Sequence, residues 1–346
     1  MIFVGDIALP YVNAVKKGDL PDYLRNKCWI GNLEGALVDK SESLQKQYVV
    51  FNDKAAIRTL ANDFDFVAFA TANNHIFDTG TFETTTEFLR ELNIPYLGIG
   101  DDLLEAQKPF VFKEGGKEVV ILNFGWEVIQ CEVINGNGPG VNPLRKDHVL
   151  ESVEKAIRDY PDAYVLPFMH WSYELEDTPQ PFERQLAKKL IDMGVAGVIG
   201  CHPHRIGGFE MYKGKPIVYS LGNWMFKQDY YHNGKLRFPA FCNLELAFEW
   251  DFESDEFKFH FFEFDQGKSQ INYLRTETGE SPTMAGLTPF RGLSDQEYKK
   301  WYKKNHYHKN KGLPIYYWED SDVAIAAKNK VNKVRDFFIS QLSKFR

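Results

Sequence analysis

The segment Val195-Ala196-Gly197-Val198-Ile199-Gly200-Cys201-His202-Pro203-His204 decides how the chain is read. Its first five residues are an apolar run of strand length, and the run stops at a glycine that releases two histidines separated by one proline. Proline lacks an N–H and fixes its own φ, so the turn between the imidazoles is stiff. Neutral imidazole is the commonest metal-binding side chain, and a stiff His-x-His turn can send both rings to one place. Taken alone, the pentapeptide is equally well a polar loop with two unrelated histidines. What separates the two readings is whether other ligand-type residues also follow buried strands.

They do. Strand-like residues 1–4 lead into Gly5-Asp6, and residues 28–31 into Asn32-Leu33-Glu34-Gly35. Residues 64–70 lead into Thr71-Ala72-Asn73-Asn74-His75, 163–168 into Met169-His170-Trp171, and 216–219 into Ser220-Leu221-Gly222-Asn223. Apolar residues at helical spacing predict helices over 53–63, with Asn52 or Asp53 as cap, and over 80–93, 147–159 and 180–193. This alternation predicts an α/β fold, in which loops after successive strands gather on one sheet edge. Carboxylates, an amide oxygen and several imidazoles brought together make a metal site. A carboxylate can bridge two cations, and imidazole suits Mn, Fe, Zn or Ni better than Ca or Mg.

Other stretches fill in the outline. Residues 95–100 read as a strand, 109–112 and 118–124 as a hairpin turning at Gly115-Gly116, and the Gly- and Asn-rich 126–143 as a loop. A helix is expected from about Tyr11. Residues 242–250 and 256–264 alternate apolar and polar side chains and predict antiparallel strands, with Ser254-Asp255 at the turn. Residues 279–289 read as a loop, and 294–305 and 322–345 as helices. The expected organisation is a main domain over 1–265 with a C-terminal β/α extension over 266–346 packed on it.

Composition narrows the function classes. With 346 residues, 44% hydrophobic, 26% charged and a net charge of −7, the chain has no dominant basic block and is not expected to bind nucleic acid. The cluster Lys299, Lys300, Lys303, Lys304, Lys309 and Lys311 reads as a solvated face. No stretch approaches the ~20 consecutive apolar residues of a membrane span. The four cysteines are far apart without C-x-x-C spacing, so no disulfide framework or zinc ribbon is expected, and Cys201 reads as a packing residue beside a metal. The chain enters its first strand at once. That points to the cytoplasm for the chain as given, or outside the cytoplasm where a leader has been removed.

The ordered set Gly5-Asp6, Asn32-Leu33-Glu34, Asn73-Asn74-His75 with Asp78 and Gly80, His170-Trp171, Gly200-x-His202-Pro203-His204 and Ser220-Leu221-Gly222-Asn223 resembles the motifs of the CapA family. This is the poly-γ-glutamate and capsule biosynthesis family, a branch of the calcineurin-like metallophosphatase superfamily. The resemblance covers residues 1–226 and its motif set is specific. It implies a four-layer α-β-β-α sandwich with one or two divalent metal ions, Mn, Fe or Zn, at the edge where strands end. It assigns Asp6 as the first metal aspartate, Glu34 as the bridging carboxylate, Asn74 as the amide ligand, and His170, His202 and His204 as the later ligands. His75 matches the histidine that orients substrate or protonates the leaving group.

Four positions depart from the superfamily pattern. Ala8 stands where Asp-x-His has its histidine, a lack that CapA-like chains share, and Glu34 replaces the usual aspartate. Asn73 and Ser172 stand where glycine is common. One full metal site is implied, with a second that is weaker or filled only with substrate. Around the ligands, Asp78 is expected to support His75, Asn223 and Asn32 to orient ligands, and Arg205 to meet an anionic substrate or to pair at the surface. Trp171 and Trp224 are candidate walls of the site. The expected activity is metal-dependent hydrolysis of a phosphoester, or of an amide or ester in a cell-surface polymer. The expected partner is an anionic polymer or a phosphorylated small substrate. The alternative is a capsule-assembly protein that uses the same metal site to retain or transfer polymer without hydrolysing it.

Overall fold

The apolar runs form the strands of two sheets in a computed structural model that describes residues 1–343 apart from 19, 40–43, 45 and 46. In chain order the first elements are β1 (Ile2–Ala8), β2 (Cys28–Leu33), α1 (Lys54–Asp63), β3 (Asp65–Ala70) and α2 (Glu83–Glu91). Next come β4 (Phe110–Glu114), β5 (Lys117–Gly125), α3 (Lys146–Asp159), β6 (Tyr164–His170), α4 (Pro181–Met193) and β7 (Val198–Cys201). They are followed by β8 (Phe209–Tyr212), β9 (Lys215–Val218), β10 (Asn223–Phe226), β11 (Leu244–Asp251), β12 (Glu256–Asp265) and β13 (Gln270–Glu277). The helices α5 (Pro282–Leu287), α6 (Asp295–Asn305) and α7 (Asp322–Ser343) close the chain.

The order β13-β12-β11-β1-β2-β3 forms the body of a nine-stranded sheet, edged by Lys16–Lys17 and Tyr96–Leu97, with β10 parallel to β1. A six-stranded sheet has the order β8-β9-β7-β6-β5-β4. Side chains alternate across a strand, so β1 sends Phe3 to one face and Ile2 and Val4 to the other. Phe3, Ile30, Phe248 and Phe259 pack between the sheets with Leu166, Phe168 and Ile199, and Phe3 meets Phe168 edge-on at 6.4 Å. On the outside of the first sheet lie Ile57 and Leu60 of α1 with Phe88 and Leu89 of α2. On the outside of the second lie Val149 and Val153 of α3, Leu186 and Leu190 of α4, and Tyr298 of α6. The fold is the four-layer α-β-β-α sandwich.

Local chemistry sets the helix ends. Asp53 caps α1 by accepting the Ala56 N–H at 3.0 Å. At the start of α4 the Gln180 N–H donates to Glu183 at 2.7 Å, Pro181 takes the first helical position, and Gly194 ends the helix at φ 113°. Among the described residues no helix is long and apolar enough to cross a membrane.

Several expectations are corrected. No helix starts at Tyr11, where Asn13 at φ 60° forms a turn. The strand expected over 95–100 is split at Gly98, and inside 126–143 the pair Gly140–Val141 bonds to Ile99–Gly100. Within 279–289 lies helix α5, opened by Ser281 capping Met284 and by Pro282. The helix expected over 322–345 is described to Ser343, and residues 344 and 345 lie outside the described residues. The boundary set between 265 and 266 falls in the turn of the β12–β13 hairpin, so β13 is part of the first sheet.

Candidate metal centre

The centre is built at the carboxyl ends of β1, β2, β3, β6 and β7. Asp6 stands opposite Asn32 of β2 on one side and Asn223 of β10 on the other. Two glycines allow the backbones to come this close. A Cβ on Gly5 would lie 1.8 Å from the Gly222 carbonyl oxygen, and one on Gly200 would lie 2.2 Å from that of Tyr219. Past Gly200, His202 and His204 take φ values of 96° and 55°, a left-handed backbone that costs of order 1–3 kcal/mol and clusters at functional sites.

Two carboxylates share one amide. Asn32 Nδ2 donates to Asp6 Oδ1 at 2.8 Å and to Glu34 Oε2 at 2.5 Å. Asp6 Oδ2 also accepts the His202 N–H at 3.2 Å and lies 3.2 Å from His204 Nδ1. The imidazoles close around this pair. His170 Nε2 lies 2.8 Å from Asn74 Oδ1 and 3.8 Å from Glu34 Oε2, and its other nitrogen faces Cys201 Sγ at 3.3 Å. His204 Nδ1 is 2.9 Å from Asn223 Oδ1, which fixes the ring, and Phe238 stacks on it at 4.7 Å. The rings of His170 and His202 are 4.8 Å apart.

Burial controls the protonation of these groups. It holds His170 down to about 3 and His202 well below the ordinary imidazole value, so both present lone pairs. Burial opposes charge on His204 as well, but the hydrogen bond and charge of Asp6 carry it up to about 9. Asp6 is pushed up by burial and pulled further down by His204, His170 and Asn32, so it stays ionised. Glu34 is held up to about 7 by burial and by the negative charge of Asp6.

The residues fit a divalent metal. Among the described residues Glu34 Oε1 and His202 Nδ1 are buried with no hydrogen-bond partner, which is costly unless something else meets them. Ligand atoms of Asp6, His170 and Cys201 lie within 4.8 Å of one another, and those of Glu34, His202 and His204 do the same. Nitrogen and carboxylate donors of this kind suit Mn, Fe or Zn. All six expected ligands, Asp6, Glu34, Asn74, His170, His202 and His204, therefore meet in one cluster.

The neighbours are divided. His75 Nδ1 lies 2.7 Å from Asp78 Oδ2 and Nε2 lies 3.9 Å from Glu34 Oε1, while the His75 side chain keeps 27% of its exposure. Asp78 also accepts the Val50 N–H at 2.8 Å, so it positions His75. Arg205 is turned to Asp177 at 2.7 Å and lies over the Phe241 ring, the arrangement expected of a surface pair. Trp171 and Trp224 are fully buried. The first donates to the Tyr219 carbonyl at 2.8 Å and the second packs 5.5 Å from Trp29, so neither walls the site.

Sequence reasoning missed three contributors. Asn73 donates to the Leu33 carbonyl at 2.7 Å and to Asn32 Oδ1 at 3.3 Å, and it accepts the N–H groups of Gly35 and His75. It ties the Glu34 loop to the His75 loop. Asn52 donates to the Glu34 carbonyl at 2.8 Å and accepts the Leu9 N–H. Lys311, read as part of a solvated face, lines a cavity of about 790 Å³ that also reaches Asn74 and His202.

Comparison with known proteins bears on the same region. Residues 13–228 match the family described as Bacterial capsule synthesis protein PGA_cap. The capsule biosynthesis protein CapA of Bacillus anthracis is 28% identical over 215 residues, covering 60% of this chain and 52% of that protein. The PGA biosynthesis protein CapA of Bacillus subtilis (strain 168) is 30% identical over 242 residues, covering 65% and 63%. The matches thus span between half and two thirds of the length of these relatives. Among solved structures, a 5'-nucleotidase precursor from Thermus thermophilus aligns over 80% of this chain and 53% of its own at 14% identity, with a TM-score of 0.43.

Proposed function

The chain belongs to the bacterial capsule synthesis protein family PGA_cap, and from that premise we propose that it is a metal-dependent hydrolase serving capsule or polyglutamate biosynthesis. Its target is a phosphoester, or an amide or ester of a cell-surface polymer. The observation that carries this reading is the convergence of Asp6, Glu34, Asn74, His170, His202 and His204 with two buried ligand atoms left unpartnered.

Asp6, His170, His202 and His204, with the Asn74 amide oxygen, would hold the ion, and Glu34 would be the carboxylate shared where two are bound. One or two divalent ions held there supply Lewis acidity toward a phosphoryl or carbonyl oxygen and lower the pKa of water. His75 is set apart from the ligands as a proton donor. Burial opposes its charge, but Asp78, helped by Glu34, outweighs that and holds its pKa above the ordinary value. Asp78 fixes Nδ1, which leaves Nε2 to deliver a proton to a leaving group. Asn32 and Asn73 keep the carboxylates and the His75 loop in register.

The test is product release from aryl phosphates and from polyglutamate by protein loaded in turn with Mn, Zn, Fe and Mg. Turnover is expected with at least one metal, and His75→Gln should lower kcat by about 10²–10⁴ while metal stays bound. No release with any of the four would overturn the hydrolase reading and favour a protein that retains or transfers polymer at the same site.

A further inference from the structure

The cavity of about 790 Å³ has two dissimilar walls. One holds Asn74 and His202 of the metal cluster. The other comes from the C-terminal part of the chain, beyond the segment that matches the family, and carries Lys311, Lys333 and Arg335. Among the described lining residues the only carboxylate is that of Glu174, so three cationic side chains face this space against one acid in a chain of net charge −7. Among the described residues neither Lys311 nor Lys333 has an anionic partner, and both are exposed. Lys311 lies 5.7 Å from the Tyr307 ring.

This wall is hydrogen-bonded to the loop that leaves the ligand His170. Tyr173 OH donates to the Pro314 carbonyl at 2.9 Å and accepts from Asn332 at 3.0 Å. Glu176 accepts the N–H groups of Tyr307 at 2.9 Å and His308 at 3.4 Å, and His308 Nε2 meets the Glu174 carbonyl at 2.5 Å. Tyr316 is bonded to the Gln180 side chain and to the Phe182 N–H at the start of α4. Bonds within the fold therefore anchor the backbone that carries the lysines near the metal ligands, so only the exposed lysine side chains remain to be ordered on binding.

We infer that the C-terminal segment, through Lys311, Lys333 and Arg335, is the anion-recognition wall of the metal cleft, selecting a chain that carries carboxylates in series over a single phosphate. The inference rests on the reading that the cluster binds metal and acts on bound substrate. A phosphomonoester held at the metal cluster fills a small part of this volume. An anionic polymer places one linkage at the metals while neighbouring carboxylates reach the lysines, and binding energy from those non-reacting groups raises turnover.

The experiment is fluorescence anisotropy with a labelled γ-linked glutamate oligomer of about ten residues, at about 50 and 300 mM NaCl, on metal-loaded protein. Lys311→Gln/Lys333→Gln should bind at least about tenfold more weakly at low salt and lose most of the salt dependence. Lys311→Arg/Lys333→Arg should keep the wild-type affinity, which separates loss of charge from damage to the fold. Glucose 6-phosphate should displace the oligomer far less well than unlabelled oligoglutamate of equal charge. The wall is overturned if the glutamine pair binds within twofold of wild type, if wild type does not bind the oligomer, or if the phosphomonoester competes equally. Bound metal is measured on the same samples, so absence of metal, which refutes the proposed function, is read separately from unchanged affinity, which refutes the wall.

Discussion

Two buried polar clusters in this molecule differ in whether the protein completes them. Between α4 and the second sheet, Arg184 gives two hydrogen bonds of 2.7 Å to Glu210 and one of 2.9 Å to the Leu293 carbonyl. Tyr219 OH donates to the same Glu210 at 2.8 Å, and Asp295 faces the remaining guanidinium nitrogen at 3.6 Å. Each charge here meets its opposite within the chain, although Arg184 Nη1 makes no hydrogen bond and has only its ion pair with Asp295. At the strand ends, Asp6 and Glu34 share one amide, the neutral rings of His170 and His202 crowd beside the charge pair of Asp6 and His204, and Glu34 Oε1 and His202 Nδ1 find no hydrogen-bond partner among the described residues. Buried charges paired within the chain lock packing, whereas an open cluster of ligand-type atoms is suited to a ligand.

That difference can be broken by mutation. Arg184→Met should cost about 3–5 kcal/mol in denaturant unfolding, because Glu210 is left buried without its cation. Arg184→Met/Glu210→Gln should recover most of the loss; a double variant as unstable as the single one would mean that shape, not charge, holds this region. A smaller effect is expected at Glu176, which lies between the two extremes. Among the described residues it has N–H and hydroxyl donors but no cation at hydrogen-bond distance, and burial holds it up to about 7 against those donors. The folded state then binds this proton more tightly than the unfolded chain, whose glutamate titrates near ~4.3. The stabilisation is present at low pH and is lost as pH rises from about 4.3 through 7. Melting temperature should therefore fall over that window, by a few degrees at most, more for wild type than for Glu176→Gln. Parallel profiles for the two proteins would contradict it.

The candidate ligands were legible because each follows an apolar run, and the end of a buried strand is a place that a linear pattern can mark. Asn74 and His170 need only that placement to be found. Contacts between distant residues left no such mark. Arg205 follows directly after a ligand, yet its destination is Asp177, and nothing local distinguishes the two fates. β13 escaped notice because much of it is solvent-exposed and its apolar residues do not alternate cleanly. Helix α5 did leave a signal, Ser281-Pro282, which reads as a cap followed by proline at the first helical position. The cationic wall was hidden for a further reason. Lys311 sits in a run of lysines, and it takes bonds from distant residues such as Tyr173, Glu176 and Gln180 to bring its segment to the cavity that reaches His202.

The central claim is that the open cluster is a metal site. The most direct measurement is bound divalent metal per chain, by inductively coupled plasma mass spectrometry, on wild type and Glu34→Gln purified side by side, with melting curves before and after chelation. The account predicts at least about one ion per wild-type chain and a fall in melting temperature on chelation, and little metal and no chelator effect in Glu34→Gln. Wild type that takes up no Mn, Fe or Zn, or Glu34→Gln that keeps the full complement, would contradict it.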